Sequence, residues 1–90
     1  MAEKKTITAE NQWSETIDIS AGYFSVSVQG TFVGTVTVQK TYDQGTNWYD
    51  VNTFTAPGEY VGLEGEGSQF RIGAKTGEYS SGTIYVRMGG

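Results

Sequence analysis

Phe24-Ser25-Val26-Ser27-Val28-Gln29 alternates apolar and polar residues without a break, and Thr35-Val36-Thr37-Val38-Gln39 repeats the pattern. A period of two puts every apolar side chain on one face of an extended chain, so both stretches read as half-buried β-strands. Working outward, the second continues through Lys40 to Tyr42, and Asp43-Gln44-Gly45 is a hairpin turn. The return strand runs from Trp48 to Phe54 and ends at Ala56-Pro57-Gly58, because proline cannot donate to a ladder. Upstream, Trp13, Ile17 and Ile19 form one strand with Glu15 as a charge out of place, closed by Ser20-Ala21-Gly22. Gly30-Thr31 reads as a turn after the first stretch. Downstream lie a short strand over Tyr60 to Leu63, a loop over Glu64-Gly65-Glu66-Gly67-Ser68, and strands marked by Phe70, Ile72 and Ala74 and by Ile84, Val86 and Met88.

Residue usage points the same way. The 90 residues include twelve Thr, eight Val and five Ile against five Ala and one Leu. β-Branched side chains suit a pleated surface, whereas Ala and Leu are what a helix wants. The expected fold is all-β: an antiparallel two-sheet β-sandwich of about seven or eight short strands. A small closed barrel is the structural alternative. The chain reads as one domain over 1–90, with the charged stretch 1–6 as a flexible arm. At this size the folded surface should be about 5,000 Å², which leaves a thin core and no deep pocket.

Several functions lack their chemistry. The net charge is −4 and the six basic residues are scattered, so no cluster is available to displace counterions from nucleic-acid phosphates. Cysteine and histidine are absent, which removes disulfides and Cys or His metal sites and leaves no cofactor implied. No stretch is long and apolar enough to span a membrane as a helix, and the N-terminal residues lack the apolar core of a signal peptide. Synthesis in a reducing cytoplasm is expected. Without histidine, a hydroxyl nucleophile has no usual base. The acidic group Glu59, Glu64 and Glu66 reads as a solvated loop, not as a catalytic carboxylate pair. The chain is therefore expected not to be an enzyme.

The segment Thr41-Tyr42-Asp43-Gln44-Gly45-Thr46-Asn47-Trp48 resembles the Asp-box, the Ser-x-Asp-x-Gly-x-Thr-Trp hairpin of sialidase propellers and other β proteins. Asp43, Gly45 and Trp48 fall on its Asp, Gly and Trp; Thr41 stands for Ser and Asn47 for Thr. The resemblance implies an architectural hairpin: the carboxylate accepts backbone amides, glycine takes a positive φ, and the indole folds back over the turn.

A wider resemblance is carried by Gly34-Thr35-Val36-Thr37-Val38-Gln39-Lys40, Asp43-x-Gly45-x-x-Trp48-x-Asp50-Val51, Thr55-Ala56-Pro57-Gly58-Glu59, Arg71-Ile72-Gly73 and Ser81-Gly82-Thr83. These segments look like small β-sandwich virion proteins of tailed bacteriophages. The resemblance implies a non-enzymatic virion protein made in the host cytoplasm, most simply a capsid decoration (cement) protein, with a neck or tail component as the alternative. Its partners would be the major capsid protein or another virion protein and further copies of itself, with neither nucleic acid nor membrane. The competing class is a carbohydrate-binding host-recognition module, in which exposed aromatics would stack on a glycan. Candidate surface contacts are Lys4 and Lys5 in the arm, and Tyr60 and Tyr79 in loop-like surroundings.

Overall fold

The alternation around Val26 extends far in both directions. The structure, a computed structural model, describes residues 2–89, and among them there are nine strands and no helix. In chain order these are β1 (Ala2–Ile7), β2 (Gln12–Trp13), β3 (Ile17–Ile19), β4 (Gly22–Gly34), β5 (Val36–Thr41), β6 (Tyr49–Phe54), β7 (Gly58–Glu64), β8 (Ser68–Ala74) and β9 (Tyr79–Gly89). One antiparallel sheet has the order β1-β9-β4-β7; the other has β8-β5-β6, with β2 and β3 both pairing along the free side of β8. The two sheets pack face to face into a β-sandwich only 17 Å across its thinnest axis. Between them lies one layer of side chains, including Phe24, Val26 and Val28 from β4, Val36 and Val38 from β5, Phe70 and Ile72 from β8, and Ile84, Val86 and Met88 from β9, all at 4% exposure or less.

Four expectations are corrected. The stretch 1–6 is not an arm, although Met1 lies outside the described residues: β1 pairs with β9 from Ala2↔Gly89 to Ile7↔Ile84, and Ile7 is fully buried. Its Glu and Lys residues are the charges that guard an edge strand against stray pairing, and in sequence they look the same as a solvated tail. Gly30-Thr31 is not a turn. There β4 runs on against β9 through the pairs Gly30↔Ile84 and Phe32↔Gly82. Gly30 (φ 107°) and Gly82 (φ 98°) take left-handed backbone inside the ladder, and a Cβ on either would strike a backbone carbonyl oxygen of the opposite strand.

The stretch from Trp13 to Ile19 is two strands. At the break the Ser14 amide donates to the Ile72 carbonyl at 2.8 Å, and the Ser14 hydroxyl accepts the Ile72 amide at 3.1 Å. A serine side chain takes over one ladder contact, the backbone steps aside, and Glu15 is left in solvent. Finally, Glu64 does not belong to a solvated loop. It ends β7 opposite Gly22, at 3% exposure.

Candidate functional site

The β5–β6 hairpin is tied by side chains. The Thr41 hydroxyl donates to Asp43 Oδ1 at 2.7 Å and accepts the Gly45 amide at 2.9 Å. Asp43 Oδ1 also accepts the Asn47 amide at 2.9 Å, and Oδ2 accepts Asn47 Nδ2 at 2.8 Å. Gln44 (φ 61°) and Gly45 (φ 96°) make the reversal, and the Trp48 indole lies over Gly45. Asn47, where the Asp-box has Thr, supplies a side-chain donor as well as its amide. The Asn47 amide, the Thr41 hydroxyl and the Asn47 side chain together hold the Asp43 carboxyl at about 2, below its ordinary 3.8.

This sets the sign of an acid effect. A depressed folded-state pKa stabilises above the ordinary value and loses that stabilisation as pH falls through the folded value. Asp43→Ala is expected to lower the thermal midpoint at pH 5, with the gap to the parent closing between pH about 4 and about 2. Thermal melts across that range check it; a gap independent of pH would mean that the carboxylate bonds do not hold the turn.

Behind the hairpin, on the outer face of the same sheet, the Arg71 guanidinium lies 4.1 Å from the Trp13 ring centre and 4.3 Å from that of Trp48. Arg71 Nε donates to Gln39 Oε1 at 2.9 Å, Gln39 Nε2 donates to Asp50 Oδ1 at 2.9 Å, and Asp50 Oδ2 pairs with Lys75 Nζ at 2.5 Å. The chain of contacts runs from β2 and β8 across β5 to β6. The Lys75 ammonium and the Gln39 amide hold the Asp50 carboxyl below its ordinary value.

A second polar link joins the two sheets. Lys40 sits on the core-facing side of β5, and its ammonium lies 3.2 Å from the buried Glu64 Oε1, 5.8 Å from the Phe70 ring centre and 4.9 Å from that of Tyr42. Burial alone would push the Glu64 carboxyl up. The Lys40 ammonium and the Gly65 amide, both hydrogen-bonded to the carboxylate, help outweigh it, so the group titrates below its ordinary 4.5. With Glu64 committed here, the acidic group is dispersed: Glu59 and Glu66 are exposed and Glu64 is not. Among the described residues no three His, Cys, Asp or Glu are grouped to hold a metal ion.

The expected contact residues are also redistributed. Lys4 is exposed and Lys5 half-buried, both on β1 and not on a mobile segment. Tyr60 lies in β7, edge-on to Phe24 with ring centres 6.2 Å apart, and is about one-third exposed. Tyr79 opens β9, packs against the core and donates its hydroxyl to the Gly82 carbonyl, so it is not a free contact. Register with core-facing neighbours explains both positions, and neither could be read before β7 and β9 were placed.

An apolar surface went unread in the sequence. Tyr23 pairs with Leu63 and Ser25 with Val61 on the outer face of the four-stranded sheet. There Tyr23 is 75% exposed, Val61 66% and Leu63 68%. The signal was present as alternation on β4 and β7, but the outward set counts as apolar only once the two strands are laid side by side.

The chain matches no protein-family model, and no curated protein matches it in sequence.

Proposed function

We propose that this chain is a non-enzymatic structural protein of a tailed-phage particle, a decoration protein that coats the head as pairs of copies joined through the free side of β7. The observation that carries the proposal is the lightly guarded β7 edge, whose one exposed charge is Glu59, beside Tyr23, Val61 and Leu63. The other edges have protection. β1 carries Glu3, Lys4 and Lys5; β6 opposes a register irregularity at Val38/Gln39 and carries Asp50 paired to Lys75; β2 and β3 are two and three residues long. Between Gly58 and Glu64, β7 has no lysine, proline or register break.

The occupant of this edge is a second copy of the chain. A two-fold axis through Gly62 sets Val61 against Leu63 of the copy on one face and places Glu59 opposite Gly65, so no like charges meet. The three exposed side chains offer roughly 400 Å² per copy, about half of a standard one-sided interface, so the pair is weak when dilute and forms where a lattice concentrates it. The net charge of −4 suits an outer surface better than a lumen packed with DNA phosphates.

Mass counting of the chain in purified particles tests this. A copy number on the order of hundreds, as a head lattice requires, supports decoration. A single ring's worth of copies at the neck or tail overturns the head position, and absence from the particle overturns the virion role.

A further inference from the structure

At the end of the sandwich where the hairpin tip projects, the structure leaves an open cleft of about 680 Å³. Its polar walls come from three places: Asp18 in β3 and Ser20 just after it, Tyr42 and Gln44 at the hairpin tip, and Glu66 before and Gln69 within β8. Neither the virion proposal nor the β7 edge makes use of it.

We propose that this cleft binds a neutral saccharide, with Tyr42 as the stacking lip and Asp18, Gln44, Glu66 and Gln69 as partners for its hydroxyl groups. The lining selects the ligand class. Two carboxylates and no lysine or arginine line the cleft, so an anionic ligand would be repelled. An apolar ligand would strip water from carboxylates and amides and return no hydrogen bonds. A polyol satisfies both kinds of group, because carboxylates accept from hydroxyls and amides both donate and accept. Asp18 Oδ1 already accepts Gln69 Nε2 at 3.0 Å, which ties the carboxylate and amide into one orientation and leaves Asp18 Oδ2 for a hydroxyl.

The aromatic lip is exposed yet held. Tyr42 is 62% exposed, and its ring packs on Tyr49 with centres 5.8 Å apart and on the Lys40 ammonium. An aromatic ring fixed in water is the surface on which the C–H face of a sugar ring stacks with little ordering cost. The tip itself is rigid, bound by the Thr41, Asp43 and Asn47 hydrogen bonds. At its apex stands Gln44, a non-glycine residue in left-handed backbone where glycine or asparagine would sit without strain. Gln44 lines the cleft, which gives the strained residue a use. The cleft is open on one side, so a chain-internal sugar fits as well as a chain end, and a site this shallow should bind with dissociation constants on the order of 1 mM.

The test uses the full chain with immobilised dextran, mannan and galactan as neutral probes, a sialylated glycan as the acidic probe and chitosan as the cationic one. Affinity electrophoresis should show retardation by at least one neutral polysaccharide. Tyr42→Ala should weaken it about tenfold, as loss of an aromatic stack does. Glu66→Gln, at an exposed residue outside every hydrogen bond described above, should weaken it several-fold without altering the melting temperature. Tyr85→Ala, on the outer face of the other sheet, should leave it unchanged. If Tyr42→Ala disturbs folding, Glu66→Gln decides alone. No retardation by any neutral probe, retardation only by the acidic or cationic probe, or retention that Tyr42→Ala and Glu66→Gln leave intact would overturn the proposal. None of these outcomes bears on copy number in the particle, so the cleft and the virion proposal fail separately.

Discussion

Deleting residues 1–7 should strongly destabilise the domain instead of releasing a docking arm. The deletion removes a six-residue edge strand, takes the fully buried Ile7 from the core, and leaves one edge of β9 unpaired. Loss of a buried Ile alone costs about 3 kcal/mol. With the strand pairing gone as well, the total should reach about 5 kcal/mol, a large share of the roughly 5–13 kcal/mol expected for a domain of this size. Urea denaturation followed by far-UV circular dichroism measures it. Ile7→Ala should shift the midpoint by more than half as much, and exchanging Lys4 and Lys5 for Gln should hardly move it. A truncated chain with the parent's midpoint would show that β1 is no part of the folded unit.

Lys40→Met should be nearly as damaging, at about 3 kcal/mol at pH 7, because it leaves the Glu64 carboxylate buried without its cation. The effect should also change with pH. In the parent, Glu64 has a lowered folded-state pKa, so its contribution is present above the ordinary 4.5 and is lost as pH falls through the folded value. Without Lys40, burial dominates and raises that pKa. The variant's own penalty then appears as pH rises through 4.5, and the gap to the parent is wide at pH 7, narrower at pH 4 and closed only below the parent's folded value. Denaturant midpoints at pH 4 and pH 7 test this, and Lys40→Met with Glu64→Gln should recover most of the loss at pH 7. A penalty equal at both pH values would mean that Lys40 contributes packing and not charge pairing.

Both effects fall where sequence reasoning ran short, for different physical reasons. The alternation at Phe24 to Val28 and at Val36 to Val38 is a local signal, set by which side of one strand faces the core, and it was enough to establish two antiparallel sheets. The hairpin residues Thr41, Asp43, Gly45, Asn47 and Trp48 are also local, since their hydrogen bonds span at most four positions. What could not be read is contact between distant strands. Arg71 lies among polar and apolar neighbours that say nothing of two indoles arriving from β2 and the hairpin. Glu64 sits among glycines that mimic a solvated loop, and only its approach to Lys40, 24 positions away, makes burial tolerable. β1 was missed because an edge strand and a charged tail share a composition. Gly30 misled in the opposite direction: a glycine beside a threonine reads as a turn, and here its positive φ lies inside the β4–β9 ladder, where a Cβ would meet the opposite backbone.

The stack on Arg71 has an optical consequence. The chain has two tryptophans, and both rest on the same guanidinium, at the outer surface of one sheet. Tryptophan emission from this protein therefore samples a single neighbourhood: quenching or a wavelength shift reports that surface opening and is blind to the four-stranded sheet across the core. Circular dichroism in the far ultraviolet averages over both. Where the two signals follow one denaturation curve, the sandwich opens as a unit. Where emission changes first, the hairpin side frays while β4 and β9 remain paired, and the lag between the curves measures how independently the two layers hold.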